Sequence, residues 1–393
     1  MIIKSRIERF GIFILQYLVY FASTMKMDSK KKGRILYIVQ HRFNRSPGQR
    51  YRCEQYIPFL EEIGFECVYS PLLINEKEDK DFYLKGNYFL KLLLFAKGFL
   101  RRLRDVWRAR NFDIIFIYRE AFMTGTVVFE KLLKSSGAKI IFDFDDAIWN
   151  YDVSEGNKKL AWLKRPEKVN EIISLSHTIL VGNKYLFNHA QKFNPNVVIV
   201  PSTIDLNYYQ IPVKDSTSEK VVVGWSGSHT TIEHFKIIIP LLKKIRKQFG
   251  DRVIFKVYGV PEYINQDLGI KGIKWSPESE TKEIASFDIG IMPLPDTEWS
   301  KGKCGMKGLQ YMALEVATVM ADVGANKDII QDGENGFLAL TEVQWFEKLS
   351  LLIESKDLRN KLGRAGRKTI EKQYSVEALK EGYLSGFKKL LNH

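Results

Sequence analysis

Cysteine is scarce in this 393-residue chain: Cys53, Cys67 and Cys304 are its three, far apart and never in CxxC spacing. That excludes a disulfide framework and a cysteine zinc site, and it fits a chain kept in a reducing cytoplasm. Acidic residues are in deficit, 46 Asp and Glu against 60 Lys and Arg, so the formal net charge is +14. An excess of that size points to anionic company: nucleic acid, an acidic membrane face, or phosphorylated ligands. Low-complexity tracts and internal repeats are absent, which leaves an ordinary globular composition. Long apolar runs are lacking as well. The run Phe10 to Ala22 is shorter than the roughly 20 residues a spanning helix needs. It follows a basic start with no convincing small-x-small cleavage site. Three readings of the leader, residues 1–32, stand open: an over-long start with translation beginning at Met25 or Met27, an interfacial anchor, or a disordered segment.

What is present is a repeated grammar. The length suits two domains of about 150–200 residues each. From Arg34, "RILYIVQ" is a short apolar strand, "HRFNRSPGQR" a polar loop, "YRCEQYIPFLEEIGF" a helical pattern and "FECVYSPL" a second strand. Strand, loop, helix, strand is a βαβ unit, which implies a parallel sheet covered on both faces. The pattern recurs in "FDIIFIYR", "AKIIFDFDD", "HTILVGN" and "VVIVPS", closing a first domain over 33–205. The polar stretch 206–219 reads as a linker. The grammar then restarts over 220–373 with "VVVGWSGS", "VIFKVYG", "GIKW", "DIGIMPL", "ATVMAD" and "NGFLAL". The expected fold class is α/β, two doubly wound Rossmann-like domains facing each other across a cleft. Ligands in such sheets bind beyond the carboxyl ends of the strands, so the loops there carry the functional reading.

Three loops have the chemistry to hold phosphate. In "VVVGWSGSHTTIEHF", Gly224 and Gly227 allow a tight strand-to-helix turn, and Thr230 with Glu233 forms a capping-box pattern. The backbone N–H groups of Ser228, His229 and Thr230 would then face an anion; the alternative is a plain turn without ligand. In "DTEWSKGKCGMKGLQYMALEVATVMADVG", Gly302 and Gly305 flank a loop opening a helix, with Lys303 and Lys307 at its N-terminal end. Lysines there oppose the helix dipole, so they make sense with a di-anion between them, or else as solvated side chains. In "SPGQRYR", Gly48 permits close backbone approach, and Arg50 and Arg52 are read as beginning a helix at its electropositive end. Arginine suits bidentate phosphate contacts, although surface arginines are commoner. A fourth stretch, "IIFDFDDAIW", ends a strand in Asp143, Asp145 and Asp146, which could hold a metal, supply a base, or brace a loop.

The blocks "GWSGSHTT", "SFDIGIMPLPDTEWSKGKCGMKGLQYMAL" and "DVGANKDIIQDGENGFLA", in that order, resemble the retaining bacterial glycosyltransferases of the GT-B fold known as group 1 or family 4. "HRFNRSPGQRYRCEQYIPFL" and "VIVPSTIDLNYY" are similar to their N-domain and interdomain segments. The resemblance covers roughly Arg34 to the C-terminus and is most specific from Val221 to Leu338. It implies a nucleotide-diphosphate sugar on the C-terminal domain, its diphosphate meeting Gly227, Ser228 and Thr230 and the Lys303, Gly305 and Lys307 loop. It implies an acceptor on the N-terminal domain and no metal or other cofactor, because protein cations neutralise the leaving diphosphate. It also implies that the final helix, 374–393, crosses back to complete the N-domain.

The departures are informative. Many members carry two glutamates eight positions apart; Gly302 and Gln310 stand there, and the resemblance implies that Gln310 faces the donor. A His–Asp pair in many members corresponds to Asp145–Asp146, which makes these two the expected catalytic residues, Asp145 at a cleft-facing position, while Asp143 helps its loop. Glu315 stands where similar sequences end a helix with glycine. A rival reading takes Asp143-Phe144-Asp145 as the D-x-D by which GT-A enzymes hold manganese.

Leu84 to Arg110 combines Leu, Phe and Trp with eight Lys or Arg residues, an amphipathic basic segment of the type that lies on anionic membranes. The alternative is a covering helix with solvated charges. A lipid-linked acceptor at the inner membrane face would explain this segment together with the apolar leader, whereas no nucleic-acid-binding module is apparent. The expectation is a cytoplasmic, peripheral membrane glycosyltransferase acting on a glycan or lipid-linked acceptor. The competing class is a non-catalytic nucleotide-sugar-binding protein.

Overall fold

The computed structural model describes residues 32–84, 86–150, 165–212 and 220–391. The apolar leader and most of the expected linker, 213–219, lie outside them. The short apolar runs become strands, the central ones buried on both faces as parallel sheets require and the edge strands only in part. β1 (Gly33–His41), β2 (Phe65–Leu73), β3 (Ile114–Tyr118), β4 (Lys139–Phe144), β5 (Thr178–Val181) and β6 (Val197–Ile199) form one sheet in the order β2-β1-β3-β4-β5-β6. Its pairs are parallel throughout. β7 (Val221–Ser226) and β8 (Val253–Tyr258) begin the second domain, followed by a two-residue antiparallel pair, β9 (Ile264–Asn265) and β10 (Ile270–Lys271). β11 (Ile289–Met292), β12 (Ala317–Ala321) and β13 (Phe337–Ala339) complete a parallel sheet ordered β13-β12-β11-β7-β8.

One expected strand is reduced to a single bridge. In "GIKW" only Ile273 pairs, with Tyr258, through Ile273 N–H on the Val257 carbonyl and Gly259 N–H on the Ile273 carbonyl. The chain then turns at Ser276, whose side chain caps the helix Pro277–Ala285. In both sheets the strand order reverses, between β1 and β3 and between β7 and β11, while the strands stay parallel. The loops leaving those strands are therefore where a doubly wound sheet opens a crevice.

Two chain crossings join the domains side by side: Ile204 N–H donates to the Tyr374 carbonyl and Val376 N–H to the Ile204 carbonyl. Beyond the second crossing, the helix Val376–Leu391 lies on the first sheet. It puts Tyr383, Leu384 and Phe387 into one cluster with Ile35, Tyr37 and Phe116, and Tyr383 stacks on Tyr56 at 3.9 Å.

The helix Tyr88–Arg108 differs from its charge pattern. Arg102 is 1% exposed and donates to the carbonyls of Val39, Ser70 and Ala121, while Lys91 is also buried. Arg101 pairs with Glu78 and Arg108 with Asp105. Its outward side is largely apolar: Phe89, Leu92, Leu100 and Trp107 are 64–73% exposed, at spacings that share one helical face. No described helix is long and apolar enough to cross a membrane.

Candidate functional site

The pleat of β4 sends Phe142 and Phe144 to one face and Asp143 and Asp145 to the other. Asp143 is fully buried and takes a bidentate ion pair from Arg52, at 3.0 and 2.6 Å. Arg52 also donates to the Val200 carbonyl, so this guanidinium ties three segments of the N-domain and does not face the cleft. The helix Pro47–Arg52 carries Arg50 and Arg52 in its last turn, not at its electropositive start. Arg50 crosses to the second domain and grips Glu280 with hydrogen bonds of 2.9 and 2.8 Å. Neither arginine offers a free fork to phosphate.

Asp145 and Asp146, beyond the end of β4, do face the cleft. Asp145 Oδ1 accepts from the Tyr118 hydroxyl at 2.8 Å and from Arg119 at 3.1 and 2.7 Å. Burial pushes its carboxyl up, but Arg119 and Arg52 outweigh that and hold it below the usual carboxylate range. Asp146 accepts from Arg119 at 2.5 Å and from Lys303 of the second domain at 2.8 Å. Both carboxylates of the D-x-D are thus occupied by guanidinium groups, Arg52 on Asp143 and Arg119 on Asp145. Gly48 is needed for the Tyr118 contact, since a Cβ there would sit 2.0 Å from that hydroxyl. Arg119 itself adopts φ +63, a strained conformation for a side chain of its size. Sequence reading stopped at the strand and passed over Arg119 and Tyr118; the signal was a charged residue at a strand's carboxyl end.

The second domain supplies the opposite wall. Gly305, at φ +68, lets the loop turn left-handed into the helix Met306–Ala313. Lys303 lies over the Trp299 ring and Lys307 over the Trp225 ring, 4.7 and 5.7 Å from their centroids. Among the described residues Lys307 has no carboxylate at ion-pair distance. Burial and the neighbouring Lys303 lower its ammonium to about 8, against the pull of Asp146. His234 beside it is held neutral, lowered to about 4 by burial and by Lys307 and Lys303, and its Nδ1 has no partner.

Other expected donor contacts are placed differently. Gly224 lies inside β7, where a Cβ would fall 2.2 Å from the Phe287 ring, so it serves packing and not the turn. Gly227 leaves room for the Trp225 ring and Thr231 Oγ1. The Thr230–Glu233 capping box does not form: the helix is Ile232–Lys236 with Thr231 at its N-cap. The Ser228 N–H donates to Thr231 Oγ1, and Ser228 Oγ meets Thr230 Oγ1 at 2.9 Å. Gln310 is buried and donates to the hydroxyls of Tyr51 and Tyr209 and to Glu280, inside the network that holds Arg50. Gly302 is pressed against the N-domain, so a Cβ would lie 2.8 Å from both the Cβ and N of Ala147. A glutamate side chain has no room there.

These walls enclose a pocket of about 170 Å3 lined by Gly48, Arg119, Asp145, Asp146, His234, Lys303, Gly305 and Lys307, among others. Such a volume admits a pair of phosphates; pockets that take whole drug-sized ligands run to about 300–1,000 Å3. The cleft is held closed by Arg50–Glu280, Lys303–Asp146 and Asn183, whose Nδ2 donates to the carbonyls of Gly302 and Lys303 at 3.1 Å.

With this geometry in hand, comparison with known proteins is specific. Residues 220–355 match the family described as Glycosyl transferases group 1. A search of curated proteins returns no significant match. Among solved structures, sucrose-phosphate synthase from Thermosynechococcus elongatus superposes with TM-score 0.65 at 12% identity, over 91% of this chain and 99% of that one. A glycosyltransferase from Rickettsia africae gives TM-score 0.65 at 14% identity, over 92% and 98%. HepE from Anabaena, in complex with UDP and glucose, gives 0.61 at 13% identity, over 90% and 99%. The chain has the GT-B fold, and its second domain carries a group 1 glycosyl transferase match.

Proposed function

We propose that the protein is a glycosyltransferase that moves a sugar from a nucleotide-diphosphate donor to a glycan or lipid-linked acceptor, in building a surface polysaccharide or glycolipid. The observation that carries this is Lys307: an ammonium lowered to about 8, facing a phosphate-sized pocket with no carboxylate of its own. A protein does not keep such a charge for stability, since burying it unmatched is unfavourable. A diphosphate between Lys303 and Lys307 supplies the missing counter-charge, and in transfer these cations stabilise the charge growing on the leaving phosphate. Asp146 holds Lys303 until that anion arrives. Asp145 is a weak base in this setting, and its role is to fix Arg119 and Tyr118 at the reacting end of the cleft. The chemistry needs no metal, and transfer with retention is the outcome the resemblance implies.

Isothermal titration with UDP and ADP tests the site. Lys307→Ala should weaken nucleoside-diphosphate binding by roughly 1.5–3 kcal/mol, the range for a charged hydrogen bond, and leave nucleoside binding unchanged. Equal affinity in mutant and parent would remove the assignment. Turnover should persist in EDTA; loss there with recovery on manganese would favour the D-x-D reading.

A second reading, a nucleotide-sugar-binding protein without turnover, is favoured by Gly302 and Gln310, which leave both expected glutamate positions without a carboxylate. Release of nucleoside diphosphate from a donor panel separates the two. The outward side of the helix Tyr88–Arg108, with Phe89, Leu92, Leu100 and Trp107 beside Lys97, Arg104 and Arg110, supports docking on the inner face of an anionic membrane.

A further inference from the structure

The loop after β1 holds a second surplus of cation that the donor site does not use. Asp79 is 3% exposed; His41 Nδ1 lies 3.1 Å from one of its oxygens, and Arg42 Nε and Arg45 Nε lie 3.2 and 3.3 Å from the other. Burial alone would raise this carboxyl, but His41, Arg45 and Arg42 together hold it below the usual range. Two guanidinium groups therefore share one carboxylate. Each approaches it most closely through Nε, and neither guanidinium makes a side-chain hydrogen bond with the described residues. Each side chain is about two-fifths exposed, at 36% and 40%.

The loop is built, not slack. Gln49 Oε1 accepts from the N–H groups of Gln40 and His41, at 3.1 and 2.8 Å. Glu54 accepts from the Asn44 N–H at 2.8 Å, fixing Asn44 at φ +60. The loop runs straight into Pro47 and Gly48 of the cleft wall. Tyr83 ties the two regions together: its phenol lies within electrostatic reach of both Arg45 and Arg119. Its hydroxyl also meets His41 Nε2 at 3.1 Å. From Tyr83 the chain passes into Leu84 and Phe89, 53% and 73% exposed, and Phe43 on the loop itself is 45% exposed. Two arginines without a side-chain hydrogen bond are therefore flanked by apolar surface, on the loop that leads into the cleft wall.

We propose that Arg42 and Arg45 bind the phosphate of a phosphate-linked lipid acceptor, turning its sugar-accepting end toward Asp145 and its chain toward the apolar surface at Leu84 and Phe89. Planar guanidinium forks suit phosphate oxygens, and the unmatched positive charge of the pair is what a phosphate ester neutralises. The proposal rests on reading the cleft as a sugar-transfer site, and its test separates the two.

Decyl phosphate, decanol and inorganic phosphate are titrated into the full chain, the Arg42→Gln/Arg45→Gln double variant, Lys307→Ala and Arg104→Gln, with UDP and ADP titrated into the same preparations. Saturable decyl phosphate binding is expected, weakened about tenfold or more in the double variant and unchanged in Lys307→Ala and Arg104→Gln. Nucleoside diphosphate binding should be weakened about tenfold or more in Lys307→Ala and kept in the double variant, which also shows that the double variant is folded. Equal decyl phosphate affinity in the double variant and the parent overturns the site, as does decanol binding as tightly as decyl phosphate. Inorganic phosphate binding as tightly, with the same dependence on the arginines, overturns the lipid acceptor in favour of free phosphate. Failure of nucleotide binding in the parent, with decyl phosphate binding intact, would strike the donor site alone.

Discussion

Lys307 gives the cleft a pH signature that can be worked out in advance. Its ammonium ionises at about 8 in the free protein, where lysine ordinarily ionises near 10.5. That corresponds to about 3 kcal/mol of disfavoured charge, waiting for an anion to relieve it. A bound diphosphate favours the ammonium and raises its pKa again. Binding therefore takes up a proton between the free and bound values. The sign follows: affinity is fully present below about pH 8 and falls as pH rises through that value, by roughly tenfold per pH unit once Lys307 is mostly neutral. At pH 7 about a tenth of the side chain is neutral, and at pH 9 about nine tenths. Burial pushes the Cys304 thiol well above its ordinary range and His234 is held down at about 4, so neither titrates in this window. Calorimetry with UDP at pH 7 to 9.5, in paired buffers of different ionisation enthalpy, reads both the affinity and the proton uptake. Lys307→Arg keeps its charge throughout and should bind with a flat profile, and Lys307→Ala should be flat and weak. A wild-type profile that matches Lys307→Arg would refute the reasoning, because the titrating group would then lie elsewhere.

Four further outcomes follow from particular contacts. Arg52→Met should destabilise the protein by about 3–5 kcal/mol in urea unfolding, since it leaves the buried Asp143 carboxylate unpaired; a loss under 1 kcal/mol would mean that Asp143 takes up a proton and sits quietly. Glu315→Gly should stabilise by on the order of 1 kcal/mol, read as a small rise in melting temperature, because Glu315 at φ +56 fills the left-handed position of a helix-ending turn in which Val316 N–H reaches the Tyr311 carbonyl. Gly302→Ala should push the domains apart at Ala147, seen as a larger radius of gyration by small-angle scattering and weaker UDP binding; unchanged values would mean that the loop yields instead. In vesicle co-sedimentation Leu100→Ser/Trp107→Ser should release most of the bound protein, while high salt should release only part. Complete release by salt would return the attraction to the charges, each worth about 1 kcal/mol near an anionic surface.

The fold was readable because parallel strands buried on both faces leave short continuous apolar runs, and eleven of the thirteen described strands coincide with such runs. The other two, β9 and β10, have two residues each, too short for any period to register, and "GIKW" is apolar enough to suggest a strand although it makes one bridge. The candidate site was readable only as a set of loops. Arg50 and Arg52 show why. They stand two residues apart in one short helix, so they project in different directions; one finds Asp143 and the other finds Glu280, a partner 230 positions away. Nothing local announces either pairing, and both had the look of phosphate ligands. Gln310 and Thr230 went the same way, polar groups whose partners are supplied by folding. The capping pattern at Thr230 failed because Thr231, one residue on, is the side chain that accepts from Ser228 and opens the helix.

The physical distinction between a structural and a functional cation is whether folding already matches it. Arg50, Arg52 and Arg102 are matched by carboxylates or carbonyls and account for themselves. Lys307 and the Arg42–Arg45 pair are not: Lys307 lines the cleft, and the loop of the two arginines runs into its other wall at Pro47 and Gly48. Lys303 and Arg119 line the same pocket, matched by Asp146 and Asp145, carboxylates that a stronger anion can displace or reorient. The proposed transfer from a phosphate-activated sugar to a phosphate-anchored acceptor would use both sets of cations, with the Asp145 and Asp146 ion pairs limiting cation repulsion while the cleft is empty.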